Sequence, residues 1–373
     1  MLKMSKCRSF LLVSILVLWV VSGCVTEKEE GLVWEQPSLQ RLVSRELLER
    51  AKLKLEWENK LPITRKERLE QLSIIGDGIY ALSDRNYLVS LNRRTGNLIF
   101  SGSLASPALT VLGLDVYKDE LFTLIGNRLV EINAEIGTEL RSKGLHFGVT
   151  CPAARNDSYF YLAGADGRLR TLRAKDKVNL FEVAADGLIT SIVADNHIVA
   201  FATDRGNVTG MIPHKPEGLW EFRASDGVVG PIVRDGESLF VASRDTYVYK
   251  LDVRDGTTPV WKHQTGALLD RSPRVTQEVV YQYARYKGLS AIDKESGRLI
   301  WQLPEGVDLL AEANGNAYVI TNERTLVLMD NKKAKQLYSV NLAKVSKYAP
   351  NTADSSIYIA DEAGRVVCLR PVD

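Results

Sequence analysis

The chain has no neighbouring pair of cysteines, only four histidines and no surplus of either charge. Its 48 basic residues balance 46 acidic ones. A nucleic-acid binder shows a basic excess, so that class is excluded. His146, His197, His214 and His263 are scattered, and none stands in a metal-binding spacing such as H-E-x-x-H. The expected cofactor and metal complement is therefore none, and no catalytic residue is assigned. Pervasive polarity is lacking too: 45% of residues are hydrophobic, so a packed core is feasible and general disorder is excluded.

The one long apolar run near the start, residues 10–21, is broken by Ser14 and is too short to cross a bilayer of about 30 Å comfortably. Lys3, Lys6 and Arg8 precede it, and Val21, Ser22, Gly23 and Cys24 follow. A positive segment, an apolar segment and small residues before a Cys resemble the lipobox of bacterial lipoproteins. The expectation is cleavage between Gly23 and Cys24, with lipid on Cys24 anchoring the chain to a membrane. Position 25 is Val, not the Asp associated with inner-membrane retention, which favours the periplasmic face of the outer membrane.

What the chain has in quantity is repetition. Eight segments share a β-rich run, a tight turn, a second β-rich run, another turn and often an aromatic residue. The apolar residues closing the second run are Leu91, Ile132, Leu172, Met211, Leu251, Ile292, Met329 and Leu369, spaced 37 to 41 residues apart. A period near forty with four short strands predicts an all-β fold: an eight-bladed β-propeller of four-stranded antiparallel blades. Gly167, Gly206, Gly288 and Gly364 suit the first hairpin turn, and Gly96, Gly137, Gly256 and Gly297 the second. Trp220, Trp261 and Trp301 are expected to pack between blades. Pro152, Pro231, Pro273 and Pro350 each follow a small residue and are expected where the innermost strand starts.

The last repeat stops after its third strand. Residues 53–62 resemble residues 298–304, so they are expected to supply the closing strand of the last blade and limit exposed edges. The domain reading is residues 1–23 as signal peptide, 24–52 as a lipidated tether with a short helix, and 53–373 as propeller. Leu39, Leu42, Val43, Leu47 and Leu48 have helical spacing, with Ser38 as the expected cap and the ring as the expected docking surface. Cys151 and Cys368 fall three blades apart, too far for a disulfide.

Leu251, Asp252 and Gly256, with Ile292, Asp293, Gly297 and Trp301, follow a Leu-Asp-x-x-x-Gly pattern that resembles the quinoprotein-type repeat. With the lipobox and about 350 further residues, the chain is similar to the BamB family of outer-membrane protein assembly lipoproteins. The resemblance implies a non-catalytic scaffold whose interblade loops bind a BamA-like component of barrel assembly. The matching loops are residues 186–191 and 224–230, with Asp226 as the candidate partner-binding residue. The family's Leu-Arg-Gly stretch is not found in the first loop, where residues 187–191 read Gly, Leu, Ile, Thr and Ser. Quinone-dependent dehydrogenation, the other activity of such repeats, lacks its adjacent-cysteine platform here. A glycan or cell-wall ligand stacking on Tyr283, Tyr286 and Tyr348 is the remaining alternative.

Overall fold

The computed structural model describes residues 41–372. Gly23 and Cys24 lie outside the described residues. Eight four-stranded antiparallel sheets make an eight-bladed propeller. Seven blades use consecutive strands. The eighth takes its outer strand, Leu53–Lys60, from ahead of blade one and pairs it with Arg365–Pro371. Blade two is Val111–Tyr117, Glu120–Ile125, Arg128–Asn133 and Glu139–Gly144 from inside to outside.

All eight period-marking residues, from Leu91 to Leu369, sit at or near the end of a third strand and are buried. The core is divided accordingly. Eight apolar clusters occur among the described residues, and each joins one blade to the next. Every blade thus buries both faces of its middle strands, which is why those strands read as unbroken apolar runs.

Four of the junctions share one device. An aromatic side chain on the outer strand lies against the glycine of the next blade's third turn. Trp57 meets Gly96, Phe100 meets Gly137, Trp220 meets Gly256 and Trp261 meets Gly297. The ring nitrogens of Trp57, Trp220 and Trp261 donate to the backbone carbonyls of Arg93, Val253 and Lys294, at 3.2, 2.8 and 3.0 Å. A Cβ on Gly297 would stand 2.7 Å from a Trp261 ring carbon, so only glycine leaves room. Directly across the sheet from five outer-strand aromatics stands a small residue: Ser90 by Phe100, Thr171 by Phe181, Gly210 by Trp220, Ala291 by Trp301 and Cys368 by Trp57; Trp261 instead faces Lys250. Burying each ring contributes about 3 kcal/mol.

Pro152, Pro231 and Pro273 stand one or two residues ahead of an innermost strand, as expected, and the pairing there is also shortened. Where a small residue and Pro occur, the innermost strand is short: Ala154–Arg155, Val233–Asp235, Arg274–Val275 and Lys347–Ala349. The other four blades have innermost strands of six to eight residues. Proline has no N–H to give the ladder, so pairing stops beside it. Pro350 follows its short strand instead of preceding it.

The helix spans Arg45–Arg50 and starts later than expected. Ser44, not Ser38, is its cap, and the Ser44 hydroxyl accepts a hydrogen bond from Leu47 N at 3.3 Å. Ser38 and Leu39 lie outside the described residues. Leu42, Val43, Leu48 and Ala51 pack with Tyr318, Leu326 and Val340 of blade seven, and the Tyr338 hydroxyl donates to the Ala51 carbonyl. Cys151 and Cys368 are free and buried.

Candidate functional site

Strands alternate in direction within a blade, so the connections between blades share one face with the turns joining second and third strands. Both sequence-assigned loops lie on this face, between blades three, four and five. The structure ties them together: the Thr190 hydroxyl donates to the Val228 carbonyl at 2.7 Å. Each loop is also pinned to the turn beside it. Asp204 N donates to Leu188 O at 2.9 Å, and Arg244 N donates to Gly227 O at 2.9 Å. Ala165 N to Gly148 O and Arg285 N to Leu268 O repeat the contact around the ring, at 2.8 and 3.1 Å. The loops are consequently preorganised, and binding there orders little backbone.

Asp226 is exposed, and its carboxylate accepts a hydrogen bond from Gly227 N at 2.6 Å. Its backbone carbonyl accepts from Ser243 Oγ at 2.7 Å. Asp186 accepts from Thr203 Oγ1 at 2.9 Å and pairs with Arg223 at 3.4 Å. Asp166 is gripped by Arg170, whose hydrogen bonds hold its carboxyl down at about 2. Asp226, Arg205 and Arg244 form no ion pair among the described residues, while Leu188 stands 43% exposed beside them. The face therefore offers both charges and an apolar contact on a rigid frame, which is chemistry for recognising a surface.

No group of His, Cys, Asp or Glu side chains suited to a metal ion exists among the described residues. His263 accounts for itself by packing, its Nδ1 lying 2.9 Å from Gly297 O. The three tyrosines proposed for stacking do not form a platform. Tyr286 is 94% exposed, but Tyr283 is covered by the Arg271 guanidinium at 4.3 Å and Tyr348 is half-buried.

The sequence profile of the family described as outer membrane protein assembly factor BamB matches residues 177–304 and 244–373, together more than half of the chain. The chain belongs to the BamB family. The matched part runs from the third turn of blade three through blade eight. No curated protein sequence matches this BamB-family chain. Among solved structures, BamB from Moraxella catarrhalis aligns with a TM-score of 0.67 and 12% identity, covering 85% of this chain and 97% of that one. The computationally designed Ika8 protein aligns with a TM-score of 0.66 and 13% identity, covering 83% and 98%. The C-terminal WD40 domain of Sif2 gives 0.62 and 10%, covering 85% and 98%. At such identities these likenesses speak to the fold alone.

One departure from the repeat was missed in the sequence. Blade two carries Arg141 where its neighbours carry the outer-strand aromatic, and Glu131 stands across from it. Lys177, with φ of 59°, takes the turn position that is glycine in four other blades. The signal was available: an acid and two cations replace a small residue, an aromatic and a glycine at fixed offsets from Ile132 and Leu172.

Proposed function

We propose that the chain is a non-catalytic scaffold, lipid-anchored through Cys24 at the periplasmic face of the outer membrane, that assists barrel-protein assembly by binding a BamA-like partner. The family match over residues 177–373 carries this reading. The preorganised loop face of blades three to five, with Asp226, Arg205, Arg244 and Leu188 presented outward, is the surface through which it would bind.

The test is crosslinking and recovery from membranes of cells expressing the full chain. Recovery of the barrel-inserting component, reduced by Asp226→Lys combined with Arg244→Glu, supports the reading. Recovery of only a glycan or an unrelated enzyme overturns it. Cys24→Ala should shift a cleaved form to the soluble fraction.

A further inference from the structure

Glu139–Gly144, the outer strand of blade two, is the one outer strand in which all six residues are exposed. Every other outer strand tucks at least one side chain toward the neighbouring blade. The cause is in the residues. Arg141 and Lys143 face blade three, at positions where blade four has Trp220 and Phe222 and blade six has Trp301 and Leu303. Arg141 turns to Glu120 and Glu131, at 2.7 and 3.1 Å. Lys143 makes no ion pair among the described residues.

A groove of about 380 Å³ is left between the strand and blade three. Leu145, Phe147 and Leu172 give it an apolar lining, and Val178 stands 48% exposed within it. Lys143 and His146 lie on its rim. Its two carboxylates are already engaged, Asp176 by Arg173 at 3.0 Å and Glu182 by Arg170 at 3.1 Å. The uncompensated charge at the groove is therefore positive. Beyond the groove the strand's outer edge has no partner strand among the described residues.

We propose that this edge and groove bind an extended acidic peptide segment of a partner protein, apart from the loop face. The peptide would add a strand to Glu139–Gly144 and place a large aromatic or aliphatic side chain over Leu172 and Val178, with its carboxylates near Lys143 and His146. Backbone pairing along a free edge supplies affinity, and the side-chain pocket supplies selectivity. A second copy of the chain fits poorly, because edge-to-edge pairing would set Arg141 and Lys143 of one copy near the same cations of the other.

The probe is a fluorescein-labelled peptide, acetyl-Glu-Phe-Thr-Val-Asp-amide, titrated into the full chain in detergent. Saturable binding below about 1 mM is expected. Exchanging the probe's Phe for Ala, or both acids for Lys, should each weaken binding about tenfold or more. Val178→Asp with Lys143→Glu, both at exposed positions, should do the same. Glu221→Lys on the outer strand of blade four and Asp226→Lys on the loop face should leave binding unchanged. Absence of binding, indifference to the groove substitutions, or equal loss with Glu221→Lys overturns the proposal. So does a dimer, seen by sedimentation, that Lys143→Glu dissociates. None of these outcomes bears on the loop-face reading, which the membrane crosslinking tests separately.

Discussion

Lys177 Nζ lies 2.6 Å from the Glu131 carboxylate, and both side chains are buried at the junction of blades two and three. Arg141 and Arg155 reach the same carboxylate at 3.1 and 3.4 Å. This cluster stands where four other junctions have a ring against a glycine. Buried ions are costly to desolvate, and removing one partner strands the rest. Glu131→Ala should therefore destabilise the fold by about 3–5 kcal/mol, read as a lower urea midpoint. The triple change Glu131→Ser, Arg141→Trp and Lys177→Gly should recover most of that loss by rebuilding the common junction. A triple variant as unstable as Glu131→Ala would show that the cluster is not a substitute for the ring.

The ring and the glycine at an ordinary junction should prove coupled. Trp261→Ala empties a packed site and should cost about 3–5 kcal/mol. Gly297→Ala adds a methyl against the ring and strains a backbone at φ of 71°, for about 1–3 kcal/mol. Without the ring, the steric share of the second penalty disappears. A double-mutant cycle in urea should then give a combined cost below the sum of the two single costs, by more than the ~0.5 kcal/mol scatter of independent sites.

The period was legible because each third strand ends in a buried apolar residue, from Leu91 to Leu369, and because hairpin glycines such as Gly167 and Gly364 do adopt positive φ, at 72 and 87°. These are local requirements and leave local traces. The helix cap was misplaced because Ser38 and Ser44 both precede a run with helical spacing, and docking on blade seven determines which turn forms. Tyr283 and Tyr348 read as exposed because strand aromatics look alike in sequence; Arg271 covers the first only after blade six folds. The loop face shows the same limit. Asp226 could be singled out as an acid in a loop, but Arg244 and Leu188 reach the same face from two other segments of the chain.

The closing strand should control solubility. Leu53–Lys60 covers the edge of Arg365–Pro371 along seven register pairs, and Asn59 Nδ2 donates to Gly96 O of blade one at 2.6 Å. Deleting residues 41–60 would bare that edge, together with Cys368 and Tyr358 beneath Trp57. An unpaired, apolar-flanked edge recruits other strands. Light scattering after size exclusion should show large assemblies for the deleted chain and a defined species for the full chain. A deleted chain that stays as well defined as its parent would assign closure to some other contact.

The two buried thiols should be silent in the folded protein and should make it sensitive to alkali. Burial pushes Cys151 up to about 12 and Cys368 up to about 11, from an ordinary 9.0. The thiolate is the reactive form, so neither should react appreciably with a thiol-directed dye at pH 8 until urea unfolds the chain, when both should. The sign for stability follows from proton counting. Above pH 9 the unfolded chain loses thiol protons that the folded chain keeps, so the unfolded state is favoured. The stabilisation is complete below pH 9 and is lost as the pH rises from there through 11 and 12. Each thiol should steepen the fall by up to ~1.4 kcal/mol per pH unit in that window. Cys151→Ala and Cys368→Ala should each flatten the alkaline limb of the urea midpoint against pH. An unchanged limb, or prompt labelling at pH 8 without urea, would show that the junctions around Tyr161 and Trp57 open readily.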